Sequence, residues 1–364
     1  MPSDGWAAWR REGPEGTTTF LVGCYTDGAS GSTGAAGIRL CRLDTDSGAL
    51  HLLGGTDAVV NPSYLAVGAR RDVVYAVQET ADTPSVHALR ISADGAIARA
   101  SSQTVPDASP CHLSVHPSGH LLAVAAYGNG TVAAYPVDAE GNIGAASQVV
   151  RHHGRGPNSD RQERSHAHAA VFTPDGTELF VPDLGIDRVE RYRIAPDGGL
   201  EPLVPLRLPP GSGPRHLAFA RDGRVAYVLS ELTSSIAIAA REGERWSVVD
   251  TVPCVPVAAR DGNTSAAIRM HPSSRYLYVS NRGHDSVAVF AVDRASAHPT
   301  LVEHVSTAGA TPRDLGIDPG GRVLVVANQD ADALVSFWID GATGRLRATG
   351  HTLRLSSPAC VLMP

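Results

Sequence analysis

The sequence predicts an all-β protein: a seven-bladed β-propeller of four-stranded blades, the last blade closed by joining N- and C-terminal strands. Three observations carry that prediction. A unit of about fifty residues recurs along the chain. Each copy reads as four short strands punctuated by turn residues, and the two ends hold complementary parts of one further copy.

The elements follow in order. Residues 1–16 (MPSDGWAAWRREGPEG) carry no apolar run and read as a flexible leader, not as a signal peptide. Residues 17–364 read as a single propeller domain. TTTFLVGCYT and GIRLCRLD supply two strands near the start. The full copies then begin at NPSYLAVGARRDVVYAVQE, SPCHLSVHPSGHLLAVAAY, SHAHAAVFTPDGTELFVPDL, GPRHLAFARDGRVAYVLSEL, SAAIRMHPSSRYLYVSNRG and TPRDLGIDPGGRVLVVANQ. In each, an alternating strand meets a turn and returns as a second β-rich strand. Equivalent apolar positions are Leu65, Leu113, Ala170, Leu217, Ile268 and Leu315, spaced 48, 57, 47, 51 and 47 residues. A third strand such as DSVAVFAVD and a Gly-containing hairpin such as PDGGL lead to a fourth. SPACVLMP restarts the unit, with Val361 46 residues after Leu315. The strands missing there are the two found at the other end. Six whole units and one split unit make seven blades. No segment has a long 3.6-residue period, so few helices are expected.

Composition bounds the function. The 364 residues are 43% hydrophobic and 19% charged, which excludes a disordered chain and allows a large core. No run of eighteen apolar residues occurs, so no membrane-spanning helix is expected. The net charge is −6 and the basic residues are scattered, which argues against a nucleic-acid partner. All 31 basic residues are Arg. With no Lys, Schiff-base chemistry and a phosphate-loop lysine are excluded. Cys24, Cys41, Cys111, Cys254 and Cys360 are odd in number and form no CxxC pair, so neither a disulfide framework nor a zinc cluster is expected. The reading is a cytoplasmic protein with no metal and no organic cofactor. A closed ring needs no second chain, so a monomer is expected.

Propeller geometry selects the candidate site. The innermost strand of each blade lines the channel, and the second strand returns to the same mouth. Aligned on the turn, the start of strand one holds Ser63, Cys111, His168, Arg215, Ala266, Arg313 and Ala359. The end of strand two holds Tyr25, Glu79, Tyr127, Leu184, Glu231, Arg282 and Gln329, with Asn281 among the residues just before. Consecutive blades therefore bring His168, Arg215, Glu231 and Arg282 to one sector of one mouth, and Arg313 and Gln329 follow in the next blade. Arginine forks suit carboxylate or phosphate, and His or Glu can act as general base or acid. Each of the four, taken singly, is equally well explained as an ion pair tying blades together. The cluster is read as a site for a small anionic molecule, with Arg313, Gln329, Asn281, His166 and Tyr127 as substrate-binding neighbours.

Other candidates carry less. His166 and His168 form an HxH pair, but no third metal ligand is indicated. His116 and His271 precede turn prolines at the opposite mouth and read as turn residues. His112 and His216 are expected to point into the blades, and His152 and His153 to lie in a loop. That loop, RHHGRGPNSDRQERSH, is the insertion behind the spacing of 57. It overhangs the proposed site, so Arg161, Gln162 and Arg164 could reach a ligand; a solvated charged loop explains them as well. Cys111 has no evident base beside it in either ring and is a poor nucleophile candidate.

The segments GPNSDRQERSHAHAAVFTPDG, VPDLGIDRVERYRI, GSGPRHLAFARDGRVAYVLSEL, IRMHPSSRYLYVSNRGHDSVAVF and TPRDLGIDPGGRVLVVANQD together resemble the seven-bladed lactonase family. That family includes bacterial propeller-type 6-phosphogluconolactonases and fungal 3-carboxy-cis,cis-muconate lactonizing enzymes. The resemblance runs from about Phe20 to Met363. It implies an active site of a His, two Arg and a Glu, which fall by motif on His168 (SHAH), Arg215 (GPRH), Glu231 (SEL) and Arg282 (NRG). The chain departs from the pattern in the ARRD turn, in its Trp-containing leader, and in Ala126, where relatives often carry Asn.

Three functions follow. The first is hydrolysis of an anionic sugar lactone, foremost 6-phosphogluconolactone, with Glu231 or His168 activating water and Arg215 and Arg282 holding the oxyanion and the anionic group. The second is a cycloisomerase that forms or opens a lactone on an unsaturated carboxylate. The third is a non-catalytic propeller scaffold, for which the 5% aromatic content offers little contact surface.

Overall fold

Seven antiparallel sheets surround a central channel in the computed structural model, which describes residues 16–26, 37–70 and 72–364. Apart from Gly16, the expected leader lies outside the described residues. Blade 1 is the split one. From the channel outward it consists of Pro358–Leu362, Thr17–Cys24, Ile38–Asp44 and Leu50–Thr56, so the two ends of the chain close the ring as expected. The innermost strands of blades 2 to 7 are Leu65–Val67, Pro110–Val115, Val171–Phe172, Pro214–Phe219, Thr264–Met270 and Pro312–Ile317. Helix is limited, among the described residues, to three 3₁₀ turns at Leu184–Ile186, Val257–Ala259 and Gln329–Ala331.

The blades pack face to face through the apolar positions that produced the repeat. Tyr75, Val77, Leu122, Val124 and Tyr135 form one such layer between blades 2 and 3, and Phe20, Val22, Leu43, Val323 and Val325 another between blades 7 and 1. Each fully buried side chain of this size contributes about 1.5–3 kcal/mol. Tyrosines of the second strands add a polar tie. Tyr75, Tyr227 and Tyr278 each donate a hydroxyl hydrogen bond to the carbonyl of a neighbouring blade's hairpin, at Gly141, Ala297 and Gly344. At the mouth opposite the candidate site, His116 and His271 do the same work from their turns, contacting the carbonyls of Gly176 and Gly321 at 2.8 and 2.9 Å.

One local device positions the site. Ser109, Gly213, Thr311 and Ser357 lie just before an innermost strand, and each has φ between 44° and 62°, the left-handed region. A proline follows each, and the chain then bulges: register shifts between Pro110 and His112, Pro214 and His216, and Pro312 and Asp314. The residue inside each bulge is Cys111, Arg215 or Arg313. A bulged residue has no ladder partner opposite it, and the local kink re-aims its side chain. The strand-two end is pinned against the same point, because Tyr127, Glu231 and Gln329 donate backbone N–H bonds to the carbonyls of Ser109, Gly213 and Thr311.

Candidate active site

Glu231 is the centre of the cluster. Its side chain is 2% exposed, and three guanidiniums converge on it. Arg161 Nη2 donates to Oε1 at 2.7 Å. Arg215 Nε and Arg282 Nη2 both lie 3.0 Å from Oε2. His168 Nε2 is 3.9 Å from the same oxygen, too far for a direct hydrogen bond. Burial alone would raise the Glu231 pKa. Arg282 and Arg215, helped by Arg161, outweigh that and hold the carboxyl far below its ordinary value. Burial, and then the charge of Arg215, push the His168 pKa well below its ordinary value, so its imidazole is neutral. Burial and the adjacent Arg282 bring Arg215 down to about 10, which leaves it charged near neutral pH.

The arginines are not saturated. Nε of Arg215 and Nε of Arg282 are buried and have no hydrogen-bond acceptor, although the first lies close to Glu231. Arg215 Nη1 is held by the carbonyl of Ala266. An unmade bond at a buried charged donor costs at least ~1–3 kcal/mol. The cluster is thus built to receive an acceptor.

A second sector lies beside it. Arg313 Nη2 donates to the Tyr25 hydroxyl at 2.5 Å and its guanidinium sits over the Tyr25 ring, 5.0 Å from the centroid. The Tyr25 hydroxyl in turn donates to Glu79 Oε2 at 2.9 Å. Arg161, Arg215, Arg282 and Arg313 together oppose two carboxylates, Glu231 and Glu79.

The other expected residues divide. Tyr127 is at the site: its hydroxyl accepts from Arg161 at 3.4 Å and its ring meets His168 edge-on at 5.5 Å. His166 instead stacks on Tyr127, with one nitrogen 2.7 Å from the Tyr127 carbonyl and the other 3.2 Å from Glu163. Both nitrogens are therefore occupied, and it supports Tyr127 from behind. Asn281 turns into blade 6, accepting from Ser265 Oγ and donating to the carbonyl of Cys254. Gln329 donates to Asp330. Gln162 does not overhang a ligand. It is fully buried and donates to Leu184 O and Asp187 Oδ1, both at 2.8 Å. Arg164 contacts Glu163 and Asn129.

Two further expectations are corrected. His112 and His216 do not point into their blades. Their rings meet at 5.3 Å, and Tyr64 of blade 2 lies 4.0 Å from His112 and 5.8 Å from His216 of blade 5. Contact between blades so far apart in the ring crosses the channel, so these rings plug it beneath the site. The bulges are the reason, since two successive residues then face inward. Cys111 does have a base beside it: His168 Nδ1 is 3.8 Å from Sγ. Burial, with Glu79 adding to it, pushes the thiol up, so it stays protonated and is a weak partner of His168. His152 lies in the loop as expected, buried between Asp183 Oδ2 at 2.7 Å and the Tyr192 hydroxyl at 2.8 Å.

Asp187 is the residue that sequence reasoning missed. It ends the Leu184–Ile186 turn at φ 54°. Its carboxylate accepts from Gln162 Nε2, Gly211 N and Gly213 N at 2.7–2.8 Å. One side chain thereby fixes both the loop bearing Arg161 and the bulge bearing Arg215. Asp285 and Asp332 repeat the device toward Thr311 and Ser357, so an aspartate at the same offset in three blades was the available signal.

A groove of about 1430 Å³ lies elsewhere, lined by residues of blades 3 to 5 that include His116 and Gly176 of the opposite mouth. Within it Arg191 and Arg241 both pair with Glu178, and none of the site residues lines it.

Comparison with known proteins agrees with this architecture. Residues 19–363 match the family model described as Lactonase, 7-bladed beta-propeller. The chain belongs to this family. It is 34% identical over 344 residues to the 6-phosphogluconolactonase of Bacillus subtilis (strain 168), which covers 93% of this chain and 96% of the relative. The periplasmic gluconolactonase of Pseudomonas aeruginosa superposes with a TM-score of 0.85 at 32% identity, covering 95% of this chain and 98% of that one. A protein from Lactobacillus plantarum does so with 0.88 at 32% identity, covering 96% and 99%. Lactone hydrolysis is the activity that the family description and these relatives support. No helix among the described residues is long and apolar enough to cross a membrane.

Proposed function

We propose that this enzyme hydrolyses 6-phosphogluconolactone. The observation that carries the proposal is the charge balance: four guanidiniums face two carboxylates, and the buried Nε of Arg282 has no acceptor. A phosphate dianion supplies the two missing charges, and a lactone carbonyl becoming an oxyanion supplies the missing acceptor. The similarity to the Bacillus subtilis 6-phosphogluconolactonase supports the same substrate.

The division of labour follows from the pKa directions. Glu231 is bound to three arginines and is a feeble proton acceptor. His168 is neutral and carries a free lone pair if Nδ1 holds the proton toward Cys111. A water lying about 2.8 Å from both His168 Nε2 and Glu231 Oε2 spans their 3.9 Å separation with an angle near 90°. One water can therefore point a proton at each. Its oxygen attacks the carbonyl carbon, the C=O pair moves to oxygen opposite Arg215 and Arg282, and one proton passes to His168. The ring C–O bond then breaks, His168 returns its proton to the leaving oxygen, and a carboxylate product and one proton leave.

The same reading takes the enzyme as a cytoplasmic monomer. Its five cysteines are buried and unpaired, and a single ring supplies every residue of the site. The test is hydrolysis of 6-phosphogluconolactone against its spontaneous opening, at several enzyme concentrations. Acceleration that falls on the order of 10²-fold or more in His168→Ala supports the assignment. Full activity in both His168→Ala and Glu231→Gln refutes it.

A further inference from the structure

We infer that Arg161 is the residue that recognises the phosphate of the substrate, giving up its contact with Glu231 to do so. The inference rests on the substrate reading above and goes further by assigning the anionic subsite to the inserted loop.

The four guanidiniums are not equivalent. Arg215 is buried at 4% side-chain exposure and gripped by Ala266 O. Arg282 is 16% exposed and lies on the same Glu231 oxygen as Arg215. Arg313 is engaged by the Tyr25 ring and hydroxyl. Arg161 is 38% exposed, and a single atom, Nη2, makes both its contacts, to Glu231 and Tyr127. Its Nε and Nη1 have no partner among the described residues.

The backbone beneath it is fixed. Asn158 accepts the N–H groups of residues 160 and 161 on its side chain and that of Gln162 on its carbonyl. Gln162, the next residue, is buried and bonded to Asp187. A rigid base with an exposed arm is the arrangement that lets a side chain move while its loop stays still. The arm also comes from above the mouth, whereas Arg215 and Arg282 come from the blades. A lactone with its carbonyl against His168, Arg215 and Arg282 would turn its distal phosphate toward the loop. Arg161 then exchanges one carboxylate oxygen for phosphate oxygens, which its planar fork can take two at a time. Glu231 keeps Arg215 and Arg282 and stays ionised.

The experiment compares two products that differ only in the phosphate, 6-phosphogluconate and gluconate. Their dissociation constants are measured by calorimetry for wild type, Arg161→Ala and Arg161→Lys. In Arg161→Ala the preference for the phosphorylated ligand should fall on the order of 10–100-fold, and Arg161→Lys should restore part of it. Urea midpoints of the variants show whether the fold is intact. An unchanged preference, an equal loss for both ligands, or no preference in wild type overturns the inference. Failure of the substrate reading would show separately, as wild-type enzyme that does not accelerate lactone opening.

Discussion

Replacing Glu231 by Gln removes one negative charge and little else, so the structure sets the consequences closely. Three guanidiniums lie within 3.0 Å of that carboxylate, and its side chain is 2% exposed. Stripping one partner from a buried ion pair costs about 3–5 kcal/mol. The amide of Gln still accepts a hydrogen bond, so about 3 kcal/mol is expected near pH 7. The pH dependence is a sharper test. The Glu231 pKa is depressed from its ordinary 4.5. A depressed carboxyl stabilises the fold above its unfolded pKa, and that contribution is lost as pH falls toward the folded value. Wild type should therefore lose about 1 kcal/mol through this group between about pH 4.5 and pH 3.5, with a limiting slope of about 1.4 kcal/mol per pH unit. The variant lacks this component. The assay is urea denaturation followed by tryptophan fluorescence at several pH values, comparing midpoints and slopes. Equal stability at pH 7 and an identical acid dependence in both proteins would sink the claim that Glu231 is the counterion of the cluster.

Other expectations are simpler. Because His168 is held neutral by burial and Arg215, kcat/KM should show no protonation step near pH 6.5; an acid limb there that vanishes in His168→Asn would contradict the assignment. Asp187→Ala should lower kcat and raise KM together, since it frees both the Arg161 loop and the Arg215 bulge, and should destabilise by at least ~1.5–3 kcal/mol; calorimetric melting with steady-state kinetics checks both effects. Gly213→Ala places a side chain at φ 62° and 2.5 Å from Leu232 Cγ. It should cost roughly 1–3 kcal/mol and reduce activity with the fold retained, and wild-type kinetics and stability would refute the bulge argument.

Much of the site was legible because it rides on a repeat. Aligning the blades on their turns placed Arg215 and Arg313 at equivalent points of strand one, and Glu231 and Arg282 at the strand-two ends. Chain neighbours were harder to assign. His216 follows Arg215, and simple alternation sends it to the blade interior, yet its ring lies in the channel. Asn281 precedes Arg282, and there alternation works: one side chain joins the cluster and the other stays inside blade 6.

The chain alone determined the blade count, the closure of the ring through its two ends, and the sector holding His168, Arg215, Glu231 and Arg282. Those follow from local signals, namely period-two apolarity and the turn residues that interrupt it at a constant interval. Only the tertiary structure decided which neighbours share the site. Arg161 meets Glu231 across 70 residues, and Asp187 meets Gly213 across 26. Tyr64 meets His216 across the channel. Such contacts depend on where bulges re-aim side chains and where one inserted loop comes to rest. A one-residue bulge reverses the face that alternation assigns, and the apolar period does not record it.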